Sequence, residues 1–232
     1  MFFGGLEKNS FIDYPGKLSC VLFIAGCNFR CPYCHNPELI APNPRQHFFL
    51  HEKEIHDFLK KRKGFLDGVV ISGGEPTTCK SILSICKKIK QMGYQIKLDT
   101  NGSMPHVIKE LIDNNLVDYI AMDIKTDPLF YSPLLVKKMD PHHIFTSISL
   151  IMGSKLPYEF RTTCLKPFID AMTIKKISRI IQGAELYVLQ QFRNKNILNK
   201  NFFIGKNALY GKKELTELKY IVKTDVKECI IR

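Results

Sequence analysis

Short apolar runs alternate along this chain with segments whose apolar residues recur every three or four positions. The runs Leu18–Ile24, Gly68–Ser72, Tyr94–Asp99, Tyr119–Ile124, Tyr158–Thr162 and Glu185–Gln190 are predicted strands, with a last short one at Cys229–Arg232. Between them, Ile82, Ile85, Cys86 and Ile89 follow the i, i+3, i+4, i+7 spacing that puts four side chains on one helix face. Leu215, Leu218 and Val222 repeat it near the C-terminal end, and Ile108, Leu111 and Ile112 in a shorter helix. Pro105 suits the first turn of that helix, where a missing N–H costs no hydrogen bond.

A strand followed by a helix, repeated about six times, predicts right-handed βαβ units and a parallel sheet. Six units are fewer than the eight of a closed barrel, so the expected class is α/β, a partial (β/α)6-type parallel barrel; a flat doubly wound sheet is the alternative. No linker or shift in composition divides residues 1–232, which are read as a single domain. Parallel α/β folds gather their chemistry at the carboxyl ends of the strands. Just past the predicted strands stand Cys27–Cys34, Gly73-Gly74-Glu75, Asp99-Thr100-Asn101, Asp123 with Lys125, Arg161, and Gln190-Gln191. All are polar, charged, metal-binding or glycine-rich, and the topology predicts them on one rim.

Composition narrows the picture. Apolar content of 45% and charged content of 24% are ordinary for a globular protein. No apolar run is long enough to span a bilayer, and Met1-Phe2-Phe3-Gly4-Gly5 lacks the basic-then-apolar order of a signal peptide, so a cytoplasmic location is expected. The eight cysteines there would be reduced, and a cluster of them would bind metal or do redox chemistry. The formal net charge of +12 is spread over helix faces such as Lys60-Lys61-Arg62-Lys63 and Lys87-Lys88-Ile89-Lys90. It reads as a solvated basic surface ahead of a nucleic-acid face, with a docking face for an acidic partner as the functional alternative.

The segment Gly26-Cys27-Asn28-Phe29-Arg30-Cys31-Pro32-Tyr33-Cys34-His35-Asn36-Pro37 spaces its thiols as Cys-x3-Cys-x2-Cys. Three thiolates can hold three corners of an iron–sulfur cubane and leave the fourth iron open to a ligand. Structural zinc with His35 as fourth ligand is a rival, but zinc ligands usually come as two separated pairs. A redox dithiol at Cys31-Pro32-Tyr33-Cys34 is another; it needs a helix to start at the first cysteine, and Pro37 disfavours that. Cys20, Cys79, Cys86, Cys164 and Cys229 are isolated and read as small buried hydrophobes.

These residues resemble the radical S-adenosylmethionine (SAM) superfamily. Asp13-Tyr14-Pro15-Gly16-Lys17, Gly26-Cys27, Cys34-His35-Asn36-Pro37, Tyr158-Glu159-Phe160-Arg161-Thr162-Thr163 and Leu189-Gln190-Gln191-Phe192-Arg193 are similar, in order, to its activating enzymes of glycyl radical proteins. The resemblance implies a [4Fe–4S] cluster on Cys27, Cys31 and Cys34, with SAM chelating the open iron. Tyr33 would lie against the adenine, and Gly73, Gly74 and Glu75 would receive the methionine amino group. Asp99, Thr100, Asn101, Asp123 and Lys125 would hold the ribose and the methionine carboxylate, Arg161 would be a further SAM contact, and Asp99 and Asp123 could share a monovalent cation. Asp13, His35 and Gln191 would face the protein substrate. The implied partner is a glycyl radical enzyme, anaerobic ribonucleotide reductase first, with flavodoxin or ferredoxin as electron donor; the alternatives are another glycyl radical enzyme such as pyruvate formate-lyase, or a small-molecule or RNA substrate. Segment Asp127–Lys138 carries no motif, and Ile24-Ala25 stand where activases often have Thr-Gln.

Overall fold

In the computed structural model, which describes residues 2–41 and 50–232, the first element is one the apolar pattern does not predict. Strand β1 (Phe2–Ser10) reads FFGGLEKNS, whose paired glycines and polar second half hide its period. It pairs antiparallel with β2 (Ser19–Ile24), Phe3 opposite Ile24 and Ser10 opposite Ser19, and with the short β3 (Leu50–His51). The chain continues through α1 (Glu52–Arg62), β4 (Gly68–Gly73), α2 (Ile82–Gln91), β5 (Gln95–Thr100), α3 (Pro105–Asp113) and β6 (Tyr119–Asp123). Then follow α4 (Tyr131–Leu134), α5 (His142–Gly153), β7 (Tyr158–Cys164), α6 (Ala171–Ile180), β8 (Leu186–Gln191), α7 (Lys212–Val222) and β9 (Glu228–Ile231). All seven predicted strands are present, their ends shifted by a residue or two. Among the described residues no helix is long and apolar enough to cross a membrane.

The residues fall into two compact units that interleave in sequence, so no single linker separates them. The first holds Met1–Phe29, Asn36–Thr100 and His106–Ile120; the second holds Arg30–His35, Asn101–Pro105 and Ala121–Arg232. In the first, strands run in the order β3-β1-β2-β4-β5, and β2, β4 and β5 are parallel. Val69, Val70 and Ile71 of β4 are fully buried, which is why a parallel strand reads as a continuous apolar run. The predicted face of α2, Ile82, Ile85, Cys86 and Ile89, is buried along its whole length. Ile108 and Leu111 of α3 are buried as well, and Ile112 is half-buried at the edge of its stripe.

In the second unit β7, β8 and β9 are parallel, following β6 in the order β6-β7-β8-β9. Asp170 caps α6 by accepting from the Thr173 N–H at 2.7 Å, and the helix buries Ile174 and Ile177. Helix α7 buries Leu215, Leu218 and Val222, the stripe its spacing predicts.

Register decides what can meet within the first unit. Ile24 lies opposite Gly73 and Ile71 opposite Leu98, so the carboxyl ends of β2, β4 and β5 form one edge. The β1–β2 turn is at the other edge, because Ser10 pairs with Ser19 and Ser19 with Gly68. Asp13 belongs to that turn, where its carboxylate accepts from Ser10 Oγ at 2.5 Å. The length of β2, roughly 16 Å at the usual strand rise, separates it from Gly26. The resemblance points Asp13 toward a substrate at the rim; its place in the sheet does not support that role.

Candidate functional site

Past β2 the backbone of the first unit turns at Gly26, whose φ is 101°. The Gly26 N–H donates to Leu39 O at 2.7 Å and the Cys27 N–H to Ile40 O at 3.2 Å, so the short turn Pro37–Leu39 fixes the first cysteine. At the end of β4, Gly73 has φ 117°, and the Glu75 N–H donates to Gly26 O at 2.8 Å. A Cβ on Gly74 would come 2.0 Å from that Gly26 oxygen and 3.2 Å from Cys27 Cβ. The glycines therefore seat the cysteine-bearing turn directly on β4, which a larger residue would push away. Gly74→Ala is expected to destabilise the fold by about 1–3 kcal/mol, the range for overpacking, and to lower iron retention. Urea unfolding and iron analysis read both; an unchanged midpoint would show that the turn yields freely.

Glu75 is 1% exposed and caps the turn after it, Oε1 accepting from the Thr77 N–H at 3.1 Å and from Thr100 Oγ at 2.7 Å. Two predicted site residues from successive strand ends are thus tied together. Asp99 pairs with Lys97, two residues earlier on the same side of β5. Lys97 is 1% exposed, with Nζ 5.9 Å from the centre of the Tyr119 ring. Alternation of Ile96 and Leu98 with Lys97 and Asp99 reads as a solvent-facing polar side, which is why pattern alone misses a buried lysine.

In the second unit Cys31–Cys34 is a tight turn closed by the Cys34 N–H donating to Cys31 O at 2.9 Å. No α-helix begins there, only the three-residue turn Pro37–Leu39 further on, so the dipole that a redox dithiol needs is missing. His35 Nδ1 lies 3.0 Å from Lys195 O. Among the described residues no three His, Cys, Asp or Glu side chains gather around a point that could hold a single metal ion. A cubane makes a different demand, one thiolate for each of three irons, and none of Cys27, Cys31 and Cys34 is tied up in a disulfide. Burial pushes the Cys20, Cys86 and Cys164 thiols up to about 12 and Cys229 to about 11, so these stay protonated at neutral pH as structural residues.

Tyr33 is 4% exposed, edge-on to Phe168 with ring centres 5.1 Å apart. Its hydroxyl is buried with no hydrogen-bond partner among the described residues, and burial raises it well above the usual phenol value. Asp123, at the end of β6, accepts from Arg161 Nε at 2.7 Å and from Lys125 Nζ at 2.8 Å. Burial alone would raise the Asp123 carboxyl, but the Arg161 and Lys125 charges outweigh it and hold it well below the usual range. Burial likewise opposes the charge on Lys125, yet Asp123, with a smaller part from Cys31, raises it above its ordinary value. With Glu159, which faces both Arg161 and Arg232, the group sets three cations against two carboxylates and keeps one positive charge, suited to a ligand carboxylate.

The motif-free segment after Asp127 supports this group. Tyr131, 1% exposed, accepts the Lys125 N–H on its hydroxyl at 2.8 Å, and Leu135 O accepts from the Arg30 N–H at 2.7 Å. Glu159, fully buried, lies 3.9 Å from Arg161 Nη1 and binds Arg232 at 3.0 and 3.1 Å. Asn101 is turned to its own loop, Oδ1 accepting from the Ser103 N–H at 2.9 Å. Gln191 donates from Nε2 to Tyr210 O at 3.3 Å. His35 and Gln191 thus bind neighbouring backbone; nothing in either contact marks a substrate.

The model of the radical SAM superfamily matches residues 21–166. A protein of Methanocaldococcus jannaschii named as a glycyl-radical enzyme activating enzyme is 36% identical over 236 residues, 98% of this chain and 94% of that protein. The pyruvate formate-lyase-activating enzyme of Clostridium pasteurianum is 32% identical over 128 residues, 52% of this chain and 50% of its own. The crystal structure of methylornithine synthase superposes with a TM-score of 0.64 at 12% identity, covering 92% of this chain and 63% of that one. The predicted class, α/β with a mostly parallel sheet of the partial-barrel kind, is the one this likeness bears out.

Proposed function

The chain belongs to the radical SAM superfamily, and on that premise we propose that it raises a glycyl radical on a partner enzyme, anaerobic ribonucleoside-triphosphate reductase. The observation that carries the glycyl-radical part of the proposal is the likeness, over almost the whole of both chains, to the Methanocaldococcus relative. The family's cofactors are a [4Fe–4S] cluster and SAM, which together supply one-electron cleavage of SAM and hydrogen-atom abstraction by its adenosyl half.

The chain's own residues bind and orient. Cys27, Cys31 and Cys34 are the proposed cluster ligands. Lys125 and Arg161, held by Asp123, present the net positive charge that suits the methionine carboxylate. Backbone carbonyls at Gly73 and Gly74 suit the methionine ammonium, while Glu75 and Thr100 keep that turn closed. Asp99 and Asn101 are the proposed ribose contacts, and the unpartnered Tyr33 hydroxyl fits a polar edge of the adenine. Asp99 and Asp123 are each paired with the chain's own cations, so a monovalent cation is left out of the proposal. Flavodoxin or ferredoxin is the proposed electron donor.

A second reading, activation of pyruvate formate-lyase, is favoured by the Clostridium relative. Electron paramagnetic resonance separates the two. Loaded protein, SAM and reductant mixed with the reductase of the same organism are expected to give a glycyl doublet. Replacing the reductase's C-terminal glycine by alanine should abolish it. A doublet with pyruvate formate-lyase and none with the reductase would reassign the partner and keep the chemistry.

A further inference from the structure

The longest stretch of this chain without an acidic residue runs from Leu186 to Lys213. Beyond β8 it carries Arg193, Lys195, Lys200, Lys206, Lys212 and Lys213, all exposed. Between these cations Leu198, Ile204 and Leu209 are 37%, 75% and 47% exposed. The segment is a strap laid across the cysteine turn of the second unit. The Leu198 N–H donates to Cys34 O at 3.0 Å, the Asn199 N–H donates to Pro32 O at 2.9 Å, and Lys195 O meets His35.

Beneath the strap, Tyr33, Phe168, Phe202, Phe203 and Phe192 close a ring of aromatic contacts, with neighbouring centres 4.9 to 6.3 Å apart. Its far end is pinned where the Lys166 N–H donates to Ala208 O at 3.1 Å and the Tyr210 hydroxyl to Ile169 O at 2.6 Å. The inner side is therefore aromatic and fixed, and the outer side presents cations around three apolar tips.

We propose that this outer face is where an acidic one-electron carrier protein docks to reduce the cluster, an inference that rests on the radical SAM reading. A basic segment with no acidic side chain of its own draws an acidic partner over about one Debye length, some 8–10 Å, and can raise association rates about 10- to 1,000-fold. Small apolar tips suit the limited, transient interface of a redox encounter. The hydrogen bonds to Pro32 and Cys34 leave one layer of chain between the docked carrier and the turn that holds two of the three cysteines. In the transfer the carrier is oxidised by one electron and the cluster reduced by one, with no bond made or broken. RNA is the competing polyanion, but single strands need exposed rings to stack on. Phe192 and Phe203 are buried, and Phe202 lies under Lys206, whose Nζ is 3.9 Å from its centre.

The test uses cluster-loaded protein, SAM, and either dithionite or enzymatically reduced flavodoxin, with 5′-deoxyadenosine as readout. For Lys195→Glu/Lys200→Glu/Lys206→Glu, the flavodoxin-driven rate is expected to fall at least about tenfold at low salt and to lose most of its salt dependence. The dithionite-driven rate should stay within about twofold, and the glutamine triple variant should show a smaller loss of the same kind. Equal flavodoxin-driven rates in variant and parent would overturn the proposal. So would a kept flavodoxin rate with lost radical transfer to the partner enzyme or lost RNA binding, which would give the face to that partner. A parallel fall with dithionite in both triple variants would overturn it too, making the strap a support for the cluster. A parent protein inactive with dithionite would instead refute the proposed SAM cleavage on which the inference rests.

Discussion

Reconstituted without oxygen, the Cys31→Ala protein is expected to hold no intact cubane, whereas the parent holds about four irons and four sulfides per chain. The same loss is expected for Cys27→Ala and Cys34→Ala. On the proposed ligation each thiolate would bind a different iron, so removing any one would open a second corner to solvent instead of weakening all three bonds slightly. Cys86→Ala is the control: that thiol lies on the buried face of α2, and burial keeps it protonated by pushing it up to about 12. It should keep its iron and lose only packing. Iron and sulfide analysis with the visible absorption of the cluster reads the difference. Parent protein that purifies anaerobically with one zinc and no iron would end the cluster assignment.

Asp123→Ala is expected to cost at most about 3–5 kcal/mol of stability, the range for breaking a fully buried ion pair, since its side chain is 23% exposed, and to cut SAM cleavage about 100-fold, the loss that misplacing a reactant brings. Arg161 and Lys125 side chains are only 12% and 17% exposed, so the substitution removes the carboxylate that pairs with poorly hydrated Lys125 and leaves Arg161 the more distant Glu159. The pH dependence follows from the directions of the shifts. Asp123 is held below its unfolded value, so its contribution is complete above the usual carboxylate range and is lost as pH falls through the folded value. Lys125 is raised, so its contribution is complete below the ordinary lysine value and is lost only as pH rises through the folded one. The difference in stability between parent and variant should therefore be flat across neutral pH and shrink only in strong acid or strong alkali. Chemical denaturation at several pH values measures this, and equilibrium binding of SAM measures the site. A variant that binds SAM as tightly as the parent would leave Asp123 with a structural role alone.

Much of this was readable in advance, and the reasons are physical. Parallel strands buried on both faces must be apolar throughout, so β2, β4, β6 and β8 stand out, and the polar residues that end them stand out in turn. Strand β1 does not, because Gly4 sits where a Cβ would strike Leu39 at 2.2 Å, a packing demand with no hydropathy signature. Lys97 was hidden by the alternation rule, since the inward side of β5 is polar. Asp13 shows the limit of resemblance: residue type can be carried over, but only the pairing of Ser10 with Ser19 reveals which end of the sheet it occupies. The supports around Cys31–Cys34 were invisible for another reason. The groups that hold the turn are carbonyls and N–H groups of Pro32, Cys34, Leu198 and Asn199, which every sequence possesses.

The strap begins at Arg193, beyond residue 166 where the match to the family ends. Its attachment to the rest of the second unit runs largely through main-chain groups and inward-facing rings, so its outward side chains answer to few internal constraints. Catalysis and recruitment are then written in separate stretches of the chain and can evolve at different speeds. A lineage could exchange one electron carrier for another by rewriting a handful of surface codons, with the cysteine turn beneath left as it was.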